Sequence, residues 1–422
     1  MNTGSHPAPR PRLDFLHGIR GILAMTVVLF HSTLNVPAVH GPGLTQTLAS
    51  PLLHGYLAVP GFLVLSGFLL SMPVVLQAST LPGGLGGFLW RRSLRILPPY
   101  FAAYAFSLLF FPAWSWLFHR LGQTPGPEVL QQLETAYTWD NIASHLVLIH
   151  NFHPVWAGAM GGVFWSIACE WQIYFLFALI MVPLWRKAGI GVPVVLCLAV
   201  ATLLTEGTIR GWWFYMVAQM IAVFALGMAA ATIVWSTGPT ATSMKRWPWG
   251  RISAGLFVLL VLTVTALDST ISPEELRTGL PTGYYHLSSW GHWIPDLMCG
   301  LWLATTIIWL AVSHPSLCSS SNAVQGPLAL RTVRALESQP ALFLGQIGYS
   351  LYLIHVLVVI AVSRTLNLWI PINGFQTFLI PAIATTLSIV LAYLFSQVFE
   401  RPAMTRETRA MFFRERPVRT PA

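Results

Sequence analysis

Residues 161–182 read GGVFWSIACEWQIYFLFALIMV, 22 positions with one charged side chain, Glu170. About 20 apolar residues in an α-helix rise roughly 30 Å, the thickness of a bilayer's hydrocarbon core. The stretch is therefore of transmembrane length. A charge held inside such a segment is costly in lipid, so Glu170 reads either as a functional group or as a structural carboxylate paired across the bundle.

Apolar runs of similar length recur on both sides of it. They predict spans near 19–36, 52–77, 97–118, 163–184, 188–205, 212–235, 251–267, 293–313, 345–364 and 374–399. Only 9% of residues are charged, 55% are hydrophobic and the mean hydropathy is +0.64, whereas soluble domains carry about a quarter charged residues. The fold class expected is all-α, a polytopic transmembrane bundle of about ten spans. Its expected organisation is a polar segment 1–18, one membrane domain 19–402 and a basic tail 403–422. The first apolar run lacks a small-residue cleavage site, so the first helix is expected to stay.

Of the 23 Lys and Arg residues, 18 fall on one side of this topology, among them Arg10, Arg12, Arg186, Lys187, Lys245, Arg331, Arg334 and Arg419. Arg120, Arg210, Arg277 and Arg364 fall on the other, and Arg20 sits at the mouth of the first span. The positive-inside rule then predicts both termini in the cytosol. The net charge of +9 is mostly this topology signal plus a tail suited to anionic lipid, and no nucleic-acid partner is implied. Cys169, Cys197, Cys299 and Cys318 form no C-x-x-C pair and read as packing residues, not as a disulfide framework or metal site. The connection 119–162 is the longest one outside, and its apolar stretch His145 to Phe152 reads as re-entrant or interfacial.

Glu170 is the one acidic residue placed well inside a span. His31 follows Arg20 by eleven residues in RGILAMTVVLFH, three helical turns and about 16 Å deeper. A buried neutral imidazole can act as general base or acyl acceptor, or it can be a packed histidine satisfied by a hydroxyl. His355 closes GYSLYLIH at a comparable depth, so His31, Glu170 and His355 point to one polar chamber. Arg91, Arg92 and Arg95 mark the start of the third span in RRSLRILPPYF. Arg92 and Arg95 share a helical face and offer planar donors suited to phosphate, although topology alone also demands basic residues there. Ser66 and Gly67 in VLSGF form a small-residue patch that permits close helix contact.

These residues resemble the blocks of the membrane acyltransferase family 3. Arg20 and His31 are similar to its first-helix motif, Val64 to Phe68 to its VLSGF block, and Arg91, Arg92, Arg95, Ile96, Pro98 and Tyr100 to its arginine block. WSIACEWQIY, with Trp165, Ser166, Glu170, Gln172 and Tyr174, looks like its central acidic block. GYSLYLIH, with Tyr349, Ser350, Tyr352 and His355, looks like a later one, and Glu400, Arg401 and Pro402 resemble its closing element. Two positions depart from the pattern: His17 replaces the usual acidic residue three places before Arg20, with Asp14 one turn earlier, and Tyr56 to Val59 lacks a common carboxylate.

The resemblance implies an enzyme of the bacterial cytoplasmic membrane, an O-acyltransferase that moves an acyl group, expected to be acetyl, from cytosolic acyl-CoA to a hydroxyl of a sugar, glycan or glycosylated metabolite. It implies His31 and Glu170 as catalytic, with Glu170 orienting His31, and Arg20, Arg91, Arg92 and Arg95 as the acyl-CoA (acetyl-CoA) site. Ser66, Trp165, Tyr174, Tyr349, Ser350, Tyr352 and His355 are its substrate or oxyanion candidates, and no metal is expected. The contrasting class is a transporter or flippase with a His and Glu proton relay, against which stands the absence of an internal repeat or matched broken helices. A scaffold without activity is the third, opposed by the intact Arg20, His31 and Glu170.

Overall fold

A computed structural model describes residues 13–36, 50–77, 79–206, 214–268, 289–317, 326–369 and 376–404. Arg10, Arg12, Arg210, Arg277, Cys318 and the basic tail from residue 405 lie outside the described residues, as does the polar segment before Leu13. The described chain is an all-helical bundle: α1 Phe15–Leu34, α2 Ala58–Leu76, α3 Gly84–Arg120, α4 Pro127–Thr135, α5 Trp139–Leu146, α6 Phe164–Leu176 and α7 Val182–Ala188. There follow α8 Gly191–Glu206, α9 Phe214–Trp235, α10 Trp249–Asp268, α11 Ser289–Val312, α12 Pro327–Leu336, α13 Gln339–Trp369 and α14 Gln376–Phe395. Nine described segments are long and apolar enough to cross a membrane, and the shorter apolar helix Gly191–Leu204 stands where the fifth span was expected. The chain is a multi-pass membrane protein.

Glycines set which helices touch. On α2, a Cβ added to Gly67 would collide with the Phe224 carbonyl of α9, and one added to Gly227 with the Val64 carbonyl of α2. Backbones approach this closely only where no side chain stands between them, which is how membrane helices gain packing without a hydrophobic driving force. Gly21 on α1 and Gly345 on α13 do the same for a second pair, and Gly18 on α1 sits against the Leu336 carbonyl at the end of α12. Thus α1 lies against α13, and α2 against α9, with α1 and α2 also in contact. The functional side chains of α1, α2 and α13 are brought together by this core.

Two helices exceed the apolar runs that predicted them. α3 covers 37 residues and α13 covers 31, because each continues through polar sequence beyond its apolar part. Arg91, Arg92 and Arg95 consequently stand on α3 itself. The stretch expected to re-enter forms α5 and a short turn, His150–Phe152, with His145, His150 and Asn151 buried. Glu170 is not alone as an acidic residue inside a span: Asp296, on α11, is also buried, and Glu400 is 3% exposed. Glu400 ends a π-helical turn, Ser396–Glu400, whose wider winding extends the last span past its apolar run and carries the carboxylate inward.

Candidate functional site

The start of α1 opens into a cavity of about 320 Å³. Asp14, His17 and Arg20 line one wall, Arg92 and Arg95 of α3 another, and Glu170 and Tyr174 of α6 a third. The apolar wall is one face of α2, where Val59, Phe62, Ser66, Leu69 and Pro73 recur every three or four residues as a helical face requires. From Pro73 to Val59 the helix rises about 21 Å, the length of the chamber along the bundle.

Adjacent arginines divide their work because successive helical residues point about 100° apart. Arg91 turns away from the cavity and donates to the Pro82 carbonyl, beside the left-handed Gly83 that starts α3 (φ 72°). Unlike Arg92 and Arg95, it does not line the cavity, and it holds a turn. Arg92 faces the cavity with its guanidinium 5.9 Å from the Phe88 ring, and its buried Nε has no hydrogen-bond partner among the described residues. A buried guanidinium with unused donors is a ready anion site. Arg95 and Arg20 lie in the same field, Arg20 within electrostatic reach of Arg95, Glu170 and Glu400. Arg20 also meets His17 Nδ1 at 3.4 Å, so the histidine occupies the place of the usual acidic residue as a hydrogen-bond acceptor.

Glu170 does not orient His31. Its Oε1 accepts from Ser66 Oγ at 2.7 Å and from the Tyr174 hydroxyl at 2.5 Å, and among the described residues no hydrogen bond joins it to an imidazole. Both hydroxyl protons are thereby drawn to the carboxylate, which removes Ser66 and Tyr174 as oxyanion donors in this arrangement. The other hydroxyls are committed too. Tyr349 donates to the Ile96 carbonyl at 3.0 Å, Ser350 donates to Glu400, and Tyr352 and Ser166 share a 2.6 Å hydrogen bond with Val163's carbonyl as the further acceptor. Ser350 is buried away from the cavity, and Trp165 packs half-buried against the core without lining it. Arg92 Nε is a cavity donor left without a hydrogen-bond partner among the described residues.

His31 and His355 lie beyond the cavity, their ring centroids 5.0 Å apart. His355 Nδ1 contacts the carbonyls of Leu351 and Tyr352 at 3.2 and 2.8 Å, so Nδ1 carries the hydrogen and Nε2 keeps a lone pair. That Nε2 and His31 Nδ1 are both buried without a hydrogen-bond partner among the described residues. Two neutral imidazoles with unused nitrogens can accept and pass a proton. Sequence reading placed both histidines at one depth and named Asp14, His17 and Glu400 only within the resemblance, and it missed Phe62 as a wall of the cavity. For Glu400 the signal was its place in the closing motif; for Phe62 it was the three-to-four residue spacing with Ser66.

A family model described as an acyltransferase domain matches residues 13–397. No curated protein and no solved structure matches the chain.

Proposed function

The chain belongs to the membrane acyltransferase family 3, and from that premise we propose that it takes an acyl group, acetyl, from cytosolic acyl-CoA and delivers it to a hydroxyl of a sugar, glycan or glycosylated metabolite. The membrane would be a bacterial cytoplasmic membrane, with both termini and the mouth of the cavity in the cytosol, as the distribution of Lys and Arg favours. The observation that carries this reading is Arg92, a cavity-facing guanidinium with buried, unused hydrogen-bonding capacity beside Arg95 and Arg20. Phosphate groups of CoA suit such donors, because charge-assisted hydrogen bonds from guanidinium are short and directional.

The thioester end would run along the apolar face of α2 toward the histidines. The acceptor hydroxyl gives its proton to His31 as its oxygen bonds to the thioester carbonyl carbon; the carbon–sulfur bond then breaks, and the thiolate leaves to be protonated as CoA-SH. An acyl-His31 intermediate is the alternative order, with the imidazole nitrogen bonding to the carbonyl carbon first and the hydroxyl displacing it second. In either order negative charge grows on the carbonyl oxygen. Ser66, Tyr174, Tyr349 and Ser350 are hydrogen-bonded elsewhere, so a donor to that oxygen would have to be released from its present partner. Glu170 acts on this chamber by fixing Ser66 and Tyr174 and by balancing Arg20.

The test is transfer of radioactive acetyl from acetyl-CoA to extracted envelope glycans by purified protein in detergent, for wild type, His31→Ala and Glu170→Gln. Consumption by wild type with loss in folded His31→Ala is the expected result. No consumption by any of them, together with solute movement in proteoliposomes, would put a carrier in place of the enzyme.

A further inference from the structure

The cavity ends short of the histidines. Its deep end is lined by Val59 and Phe62 of α2 and by Tyr352 of α13, and the Phe62 and Tyr352 rings meet edge to face at 5.9 Å and 79°. Tyr352 is then 5.9 Å from the His355 ring, and His355 is 5.0 Å from His31, yet neither histidine lines the cavity. The histidine pair therefore lies outside the donor chamber, with the Phe62 and Tyr352 rings between the two.

The two rings are held differently. Tyr352 is 7% exposed and fastened by its hydroxyl to Ser166 at 2.6 Å, which ties α13 to α6. Phe62 is half-buried, has no polar tie and faces the cavity one turn beyond Ser66. Rotation about its side-chain bonds costs only packing, whereas moving Tyr352 also breaks a buried hydrogen bond. Phe62 is the part that can move.

Resting on the acyl-transfer reading above, we propose that Phe62 and Tyr352 form a partition between the donor chamber and the His31–His355 pair, and that this partition sets which acyl groups pass. A two-carbon acyl group delivered to His31 fits beside a rotated phenyl ring, whereas each further methylene needs volume that the ring fills. Phe62 is thus a specificity-determining residue, and Ser166 is a positioning residue that acts through the Tyr352 hydroxyl. Close packing makes such a site sensitive to single methylenes.

The experiment compares kcat/KM for acetyl-CoA and butyryl-CoA in wild type, Phe62→Ala, Phe62→Leu and Tyr352→Phe, each checked for a folded, monodisperse state in detergent. The preference for acetyl over butyryl is expected to fall about tenfold or more in Phe62→Ala and by less in Phe62→Leu, in line with the discrimination a pocket gains per methylene. Tyr352→Phe, which keeps the ring and loses the fastening, is expected to relax the preference as well. An unchanged preference in both Phe62 variants, with acetyl transfer retained, overturns the partition. So does loss of all turnover in folded Phe62→Leu, because thinning a barrier cannot abolish passage. A wild type that consumes no acyl-CoA overturns the acyl-transfer reading itself, and the partition with it.

Discussion

His31 and His355 hold their rings 5.0 Å apart, and among the described residues neither is hydrogen-bonded to a carboxylate. The pairing of α1 with α13 through Gly21 and Gly345 produces this contact, since it brings the two helices close enough for their fifth turns to share side chains. A proton taken up by His31 would therefore meet a neutral imidazole whose Nε2 is an acceptor, not an anion.

That relationship gives unequal roles to the two histidines. His31→Ala is expected to lower kcat/KM by on the order of 10²–10⁴, the usual worth of a general base. His355→Gln keeps a polar side chain but loses the ring against which His31 rests, and should lower kcat by roughly 10–100-fold with little change in donor KM, as a misplaced reacting group does. Steady-state kinetics on both variants decide it: a His355→Gln enzyme with wild-type kcat would remove the pair as a unit.

Arg91 and Arg92 are neighbours with different duties. Arg92→Ala removes a cavity guanidinium and should raise donor KM by about 10–100-fold, matching about 1.5–3 kcal/mol for a hydrogen bond to a charged group. Arg91→Ala loses only the bond to Pro82's carbonyl and should leave KM near its wild-type value. Equal KM effects in the two variants would contradict the rotation of α3 described above.

Close helix contact makes a stability prediction with an internal control. In Gly227→Ala the new methyl would press on the Val64 carbonyl and on Phe68 N at 2.8 Å, backbone atoms that cannot rotate away. Overpacking of this kind costs about 1–3 kcal/mol. Gly255, inside α10, has nothing within 4 Å of an added methyl, so Gly255→Ala should be neutral or stabilising by about 0.5–1 kcal/mol. Thermal unfolding in detergent compares the two, and an equal loss in both would mean that the α2–α9 contact is not tight.

The span order and the common level of His31 and His355 were readable because hydrophobic length and turn counting act along one helix. Rotation was not. Nor was the depth of Glu170, which stands in the cavity beside Ser66, Tyr174 and Arg20, whereas the imidazole of His31 lies beyond the cavity against His355. Arg91 and Arg92 differ by one position, and only the position of α3 against its neighbours decides which enters the cavity. Asp296 lies close to the start of its span in sequence, where a carboxylate reads as interfacial; the packing of α11 buries it instead.

Outside the spans, His145 of α5 stacks on His150 at 3.9 Å and on Tyr104 at 4.9 Å, and both imidazoles are fully buried. Burial lowers His145 from 6.5 to about 4, and burial aided by His145 lowers His150 to about 3. The unfolded chain therefore binds more protons than the folded one between about pH 6.5 and those values, and folding stability must fall as the pH drops through that window. Above about pH 6.5 both rings are neutral in either state and the contribution of the stack is complete. The expected outcome is a melting temperature that declines from pH 7 to pH 5 more steeply in wild type than in His145→Phe/His150→Phe, whose rings stack without titrating. Parallel declines would mean that carboxylates elsewhere, and not this pair, set the acid sensitivity of the bundle.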